Sequence, residues 1–356
     1  MSRKLHTVGP ALTPMLSDRQ GRVMSAVVSS YVGEAAPVAS ETISALLPVA
    51  LSSASVRTTL GELADLALVS KPHRSAGRVP TLRGFRVYVN QLLEPRPLGP
   101  FEWRDLADSV EFAGAAEGFA RSLSRVLSDR SRQLGFAVPP RVDRAVLQHV
   151  SFVRLSSERI LCVLVSRDGS SYQRVFPAMV RVDQPHLDRL AAGLNARIAG
   201  RTLSSLRRHL LEEAADLRSE ADLLLDRAFR MGQVASGADE PGELLIATWL
   251  ALLEQPEFRD IERVRTLHAA LEENRRLVEV IDRMLFDEGV TVVFGDDLEE
   301  AALAGCAIVA APYGPTGDRC GVLGVIGPSR LDYARVVPLV DSVARLASQS
   351  TGDGEQ

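Results

Sequence analysis

Three short amphipathic helical patterns, broken by Gly33, Pro37 and Pro48, run straight into a basic loop that contains a glycine. This order constrains the first 93 residues more than any other feature of the chain. Ser17-x-x-Gln20 has capping-box spacing, in which the serine side chain holds a free N–H of the first turn. Behind it Val23, Met24, Val27, Val28 and Tyr31 form an i, i+1, i+4, i+5, i+8 stripe, the buried face of one helix. Ser40 is placed to cap a second, short helix, which Pro48 must end because proline cannot continue the hydrogen-bond ladder. Ser52 or Ser53 caps a third, with Val56, Leu60, Leu63 and Ala67 on one face. Two helices joined by a turn of about four or five residues, with another packed behind, make a helix-turn-helix. Next, Leu68 and Val69 begin an extended segment, and His73-Arg74-Ser75-Ala76-Gly77-Arg78-Val79-Pro80 supplies loop chemistry, with Gly77 free to take a positive φ. Thr81 then caps a fourth helix with Leu82, Phe85, Val89 and Leu92 inward. A basic loop between two short strands, directly after a helix-turn-helix, reads as the wing of a winged helix.

Charge supports that reading. The formal net charge is only −4, which argues against a general nucleic-acid coat protein. Yet Val69 to Leu93 holds Lys71, Arg74, Arg78, Arg83 and Arg86 without one acidic residue, so the rest of the chain is acidic. Basicity concentrated in one window is a local electrostatic footprint.

Composition removes whole classes. With 356 residues, 46% hydrophobic and 24% charged, the chain is long enough for two or three ordinary globular domains. The apolar run Leu244 to Leu253 falls short of the ~18 residues of a membrane span, and MSRKLHTVGP lacks the apolar stretch of a signal peptide. Cys162, Cys306 and Cys320 are far apart, with no CxxC, which disfavours a disulfide framework and a cysteine zinc site and fits a reducing cytoplasm. The histidines form neither HxxxH nor HExxH, so no zinc-protease signature is present.

Beyond the basic window, Glu94-Pro-Arg-Pro-Leu-Gly-Pro100 marks a proline-rich linker over 94–103, closing a DNA-binding domain at 1–93. Residues 104–134 read as helical, Ala145–Leu155, Ile160–Ser166 and Tyr172–Phe176 as strands, and 186–199 as helix. From 203 to 285 the pattern is almost purely helical, with stripes at Leu206, Leu210, Ala214, Leu217, Ala221, Leu224 and at Leu267, Leu271, Asn274, Val278, Ile281, Leu285. Strands resume at Val290–Phe294, Cys306–Ala311 and Gly321–Ile326, a helix occupies 331–347, and the tail 348–356 is expected to be disordered. The whole is an α+β multidomain chain: an α/β domain in two parts, 104–202 and 286–347, interrupted by a mainly helical insertion at 203–285. Its strands at 145–176 are expected to pair with those beyond 290.

Leu51-Ser-Ser-Ala-Ser-Val-Arg57, Lys71-Pro-His-Arg-Ser-Ala-Gly-Arg-Val-Pro-Thr81 and Gly84-Phe-Arg-Val-Tyr-Val89 resemble the heat-inducible transcription repressor (HrcA) family. So do the distal Gln255-Pro-Glu-Phe258 and Gly324-Val-Ile-Gly-Pro-Ser-Arg-Leu-Asp-Tyr333. The resemblance runs from about Leu16 to Leu346. It implies a winged helix, a GAF-like α/β domain and an inserted dimerisation domain. It also implies a homodimer that represses chaperone operons by binding an inverted-repeat operator (CIRCE), with activity supported by the GroE chaperonin. Departures exist, and the first two fall in the reading element. Thr58-Thr59 stand where the family usually has Asn-Glu, and Ala39-Ser-Glu-Thr42 where it usually has Gly-Ser-Arg-Thr; the usual Met of the late motif is Leu331.

Ser53, Ser55, Arg57 and Thr58 lie away from the apolar face of the third helix, where arginine can grip guanine and hydroxyls can meet either base type. The wing residues His73, Arg74, Ser75, Gly77 and Arg78 are candidates for phosphate or minor-groove contact, with Arg83 and Arg86 weaker because their helix can face elsewhere. His73 reads equally well as a brace for the wing. A solvated surface is the plain alternative for each charge. Gly314-Pro-Thr-Gly-Asp-Arg-Cys-Gly321 lacks the GK[ST] ending of a phosphate loop and reads as a strand-to-strand loop. Cys162 and Cys306 read as core, and Asp296-Asp297 beside Glu299-Glu300 as a solvated turn rather than a metal site. No nucleophile–base–acid arrangement points to an enzyme, and no cofactor is implied. Two classes remain: a DNA-binding repressor set by a chaperone, or a winged-helix regulator controlled by a small molecule in its GAF-like domain.

Overall fold

The computed structural model describes residues 5–7, 14–47, 51–73, 76–110, 116–139, 147–166, 171–177, 183–198, 244–247, 249–273, 277, 280–281, 284–286, 289–298, 300–314 and 321–352. Helix and sheet are mixed throughout. Helix α1 (Asp18–Glu34) begins at the anticipated capping box: the Gln20 N–H donates to Ser17 Oγ at 3.3 Å, and the Ser17 N–H donates to Gln20 Oε1 at 3.0 Å. Its stripe Val23, Met24, Val27 and Val28 is buried. Helix α2 (Ser40–Leu46) starts differently from expectation: Ala39 occupies the cap, and the Ser40 hydroxyl, already inside the helix, donates to Glu41 at 3.2 Å. Helix α3 (Ser53–Asp65) is capped by Ser52, whose Oγ accepts the Ser55 N–H at 3.2 Å. Val56, Leu60 and Leu63 are buried as anticipated. Ala67 is not on that face; it lies past the helix end, exposed, with a left-handed φ of 56°.

Strands β2 (Val69–Ser70) and β3 (Val79–Pro80) pair antiparallel, and Val38 adds a rung through reciprocal N–H to carbonyl bonds with Arg78 at 2.9 and 2.8 Å. Gly77 does not adopt the positive φ expected of it. Glycine is needed for another reason: a Cβ there would lie 2.3 Å from the Val38 carbonyl oxygen, so a side chain would break the rung. Helix α4 (Leu82–Val87) is capped by Thr81, which accepts the Gly84 N–H at 3.0 Å and donates to the Ala67 carbonyl at 2.7 Å.

A six-stranded sheet forms the body. Its members are Leu5–Thr7 (β1), Val290–Phe294, Cys306–Tyr313, Gly321–Pro328, Leu134–Val138 (β4) and Leu245–Ile246, in that order. The first pair is parallel and the others antiparallel. Both faces are buried, which explains why Cys306–Tyr313 and Gly321–Pro328 lack polar alternation. On one face Ala307, Val309, Leu323 and Val325 pack with Leu123 and Leu127 of α6 (Ala116–Ser131) and with Val340 and Val343 of the last helix, Tyr333–Gly352. On the other, Phe136, Val293, Ile308 and Val322 pack with Leu252, Leu267, Leu271, Ile281 and Leu285.

Two expectations change here. Strands β5 (Leu147–Arg154), β6 (Arg159–Ser166) and β7 (Ser171–Pro177) do not pair beyond residue 290; they form a separate antiparallel sheet, with α7 (Gln184–Ile198) bonded to it through Asn195 and Val150 at 2.8 and 2.9 Å. The strand that joins the C-terminal ones is instead Leu134–Val138, Val138 standing opposite Val322. The apolar stripe Leu267, Leu271, Ile281, Leu285 is satisfied inside the chain, against the central sheet. Asn274, Val278 and the stripe from Leu206 to Leu224 lie outside the described residues, as does Pro48. The expected linker is partly structured too: α5 (Pro100–Ser109) begins inside it, and the Arg96 N–H donates to the Ala334 carbonyl at 2.9 Å. Residues 348–352, anticipated as tail, continue the last helix.

The N-terminal helices share one apolar core with the body. Phe85 lies 6.3 Å from Tyr31 and 6.4 Å from the buried Tyr333, which is 6.3 Å from Phe294. Arg86 pairs with Asp297 while lying 5.7 Å over the Phe294 ring. Arg330 donates from Nε and Nη2 to both Glu257 oxygens at 2.5 and 3.0 Å, to Gln255 Oε1 at 3.1 Å, and from Nη1 to the Val32 carbonyl of α1 at 3.0 Å.

Candidate nucleic-acid interface

The free end of this N-terminal unit carries the residues singled out from the sequence. Because Val56, Thr59, Leu60 and Leu63 turn α3 inward, Arg57 and Thr58 project to solvent, with Ser53 and Ser55 half-buried at the helix start. The Thr58 hydroxyl donates to the Ala54 carbonyl at 3.2 Å, which leaves the oxygen's lone pairs to accept from another donor. Thr59, the other half of the Thr58-Thr59 departure, is fully buried and donates to the Ser55 carbonyl at 3.1 Å; it supports the helix and has no reading role.

Arg57 is held from the neighbouring helix. Its Nη2 donates to Glu41 Oε1 at 2.8 Å and its Nε to Ser40 Oγ at 3.3 Å, with the side chains 66% and 63% exposed for arginine and glutamate. The backbone N–H of Glu41 itself, then the Arg57 guanidinium and the Ser40 hydroxyl, hold the Glu41 carboxyl below its ordinary range. Sequence reading missed Ser40 and Glu41 as members of this group. They lie sixteen and seventeen positions from Arg57, a distance with no pattern to signal contact.

In the loop between β2 and β3, Lys71 and His73 are exposed, and Gly77 and Arg78 are half-buried beside the Val38 rung. Arg74 and Ser75 lie outside the described residues. Arg83 is exposed. Arg86 faces the opposite way, into the junction with Asp297, so it is no part of the surface. Asp297 is accordingly not a solvated turn residue: its carboxylate is 18% exposed and occupied by that arginine.

The other motifs resolve structurally. Tyr313 and Gly321 face each other as the last pair of an antiparallel hairpin, so the glycine-rich run between them connects two strands. Burial pushes the Cys306 thiol up to about 11 and the Cys162 thiol up to about 12, which keeps both protonated at neutral pH. No helix among the described residues is long and apolar enough to cross a membrane.

The two distal motifs meet in space: Arg330 of the second grips Gln255 and Glu257 of the first and reaches α1. A family model described as the HrcA protein C terminal domain matches residues 117–337, which include both. The chain is 36% identical over 341 residues to the heat-inducible transcription repressor HrcA of Nitratidesulfovibrio vulgaris (strain DSM 19637 / Miyazaki F), covering 94% of this chain and 96% of that one. It is 37% identical over 344 residues to the HrcA of Rhodopseudomonas palustris (strain BisB18), covering 95% of each. The chain belongs to the HrcA family of heat-inducible transcription repressors. Membership extends over the N-terminal unit, since these alignments cover nearly the whole chain although the family model begins at residue 117. A solved structure described as a hypothetical protein at 2.2 Å resolution shares the HrcA chain's fold, with a TM-score of 0.57 at 19% identity, covering 96% of this chain and 99% of that one.

Proposed function

We propose that the chain is a DNA-binding repressor of heat-shock chaperone operons, acting as a cytoplasmic homodimer on an inverted-repeat operator. Within residues 1–93, helices α1 to α4 with β2 and β3 form a winged helix in which α3 enters the major groove, while Leu5–Thr7 joins the central sheet. Ser53, Ser55, Arg57 and Thr58 then face base edges and flanking phosphates, while His73, Arg74, Ser75, Gly77 and Arg78 of the wing meet phosphate or the minor groove. The observation that carries the reading is the capped helix α3, with its apolar side spent on the core and Arg57 and Thr58 left outward beside a basic loop, in a chain of this family.

The central sheet with helices on both faces is the GAF-like domain. Its faces are closed by packed apolar side chains, among them Phe136, Ile308 and Val309, which favours repression over control by a small ligand and over an enzyme. The insertion, read from the sequence at 203–285 between 104–202 and 286–347, is placed here between the central-sheet strands Leu134–Val138 and Leu245–Ile246, a placement supported by the pairing of those two strands with each other. That insertion is the dimerisation unit, and Val153, Leu155 and Val175 expose apolar surface on it. A twofold protein suits a twofold operator, one winged helix per half-site.

GroE dependence retains a physical motive, on different strands from those first expected. Leu5–Thr7 pair with Val290–Val292, and Leu134–Val138 with Val322–Ile326, so the sheet closes only over very long loops. Such pairing is slow and exposes apolar edges during folding, the profile of a chaperonin client. The test is a footprint on the organism's own chaperone-operon DNA, using protein refolded with and without chaperonin and ATP. Protection of two symmetric half-sites supports the repressor reading, and protection without sequence preference rejects it. An equal active fraction in both arms rejects the chaperonin dependence alone.

A further inference from the structure

We propose that Glu41 and Ser40 are positioning residues that set base specificity by fixing the edge of Arg57 presented to the operator. The inference rests on the reading that α3 enters the major groove. A guanidinium has five N–H donors in a rigid fork. Ser40 Oγ and Glu41 Oε1 take donors from Nε and Nη2, which occupies the edge shared by those two nitrogens. The edge formed by Nη1 and Nη2 keeps its donors for another acceptor pair. That is the fork whose spacing matches guanine O6 and N7. An arginine on a solvent-facing helix otherwise samples many rotamers, and ordering it costs free energy at the moment of binding. Two acceptors on α2 reduce that cost and restrict the directions in which Arg57 can point.

Glu41 places a negative charge on the surface that approaches phosphate. A residue kept only for affinity would not be acidic there, because its repulsion of the backbone weakens binding to every sequence alike. Its carboxyl also stays ionised below the ordinary range, so the contact persists at mildly acidic pH. The position therefore exchanges affinity for discrimination, and the two quantities move in opposite directions when it is changed.

The test uses the full chain, the inverted-repeat duplex defined by footprinting, the same duplex with each half-site base pair substituted in turn, and a nonspecific duplex. Glu41→Gln is expected to bind the nonspecific duplex several-fold more tightly. At one guanine position it loses roughly tenfold or more of its discrimination. Ser40→Ala moves discrimination at the same position by a smaller factor. In an Arg57→Ala background, Glu41→Gln changes discrimination no further, as a coupled pair requires. Full discrimination retained in Glu41→Gln, or an equal loss with and without Arg57, overturns the proposal while leaving the repressor reading intact. Failure of the parent protein to prefer its operator overturns the repressor reading itself and the positioning role with it.

Discussion

Arg57 and Arg86 each meet a carboxylate from another element, and the two pairs sit at opposite ends of the N-terminal unit. Arg57 and Glu41 are about two-thirds exposed, whereas Arg86 and Asp297 are 16% and 18% exposed and join the unit to the body. In water an ion pair contributes little, because solvent screens the attraction and two long side chains lose rotamer freedom. Out of water, the attraction is stronger and so is the cost of a charge left alone. The same chemistry can therefore orient a reading group at one end of the unit and fasten the unit at the other. The buried pair is not fully satisfied: Arg86 Nε and Asp297 Oδ2 lie buried without a hydrogen-bond partner among the described residues. This makes it a junction with a definite energetic signature.

The largest expected effect follows. Asp297→Ala leaves the Arg86 guanidinium under the domain boundary without its counter-ion, and should destabilise the protein by on the order of 3 kcal/mol in thermal or denaturant unfolding. The double variant Arg86→Met, Asp297→Leu should recover most of that loss, because it removes both charges together. If the single and double variants unfold alike, the pair is not the fastening.

Next comes Arg330→Ala, which strips Glu257, Gln255 and the Val32 carbonyl of one shared donor. About 2 kcal/mol is expected, and hydrogen exchange should rise at the C-terminal end of α1, the element Arg330 reaches. Unchanged exchange there would confine Arg330 to the body.

Thr81→Ala sharpens the comparison from between the two ends, since Thr81 both caps α4 and ties it to the Ala67 carbonyl. A loss of about 1 kcal/mol is expected, the usual size for an N-cap. The smallest effect belongs to Glu41→Gln, for which the melting temperature should stay at the parent value while operator discrimination falls. A melting temperature lowered as far as in Asp297→Ala would show that the exposed pair also fastens, and the contrast between the ends would collapse.

Much of the N-terminal unit was legible in the sequence. Ser17, Ser52 and Thr81 act as caps because capping is local: a short polar side chain meets an N–H a few residues ahead. Ser40 misled for the same local reason, since cap chemistry was present but the helix begins one residue earlier, and its hydroxyl serves Glu41 and Arg57. Gly77 was identified as special for the wrong cause, because the carbonyl of Val38 that excludes a side chain lies on another strand. Arg86 looked like one more member of a basic window until the fold placed Asp297 beside it.

The sequence by itself determined most helices and strands of the N-terminal unit and three of its caps, since periodicity, caps and breakers act over a few residues. It also determined which face of α3 is apolar and hence which residues point outward. Only the tertiary structure decided which strands share a sheet. Residues within 145–176 read as strands and none was read at 134–138, yet it is Leu134–Val138 that joins the C-terminal strands, because strand pairing depends on burial of both sheet faces by distant helices. It also decided the partners of each arginine, since charge contacts between elements carry no spacing that a linear pattern can encode.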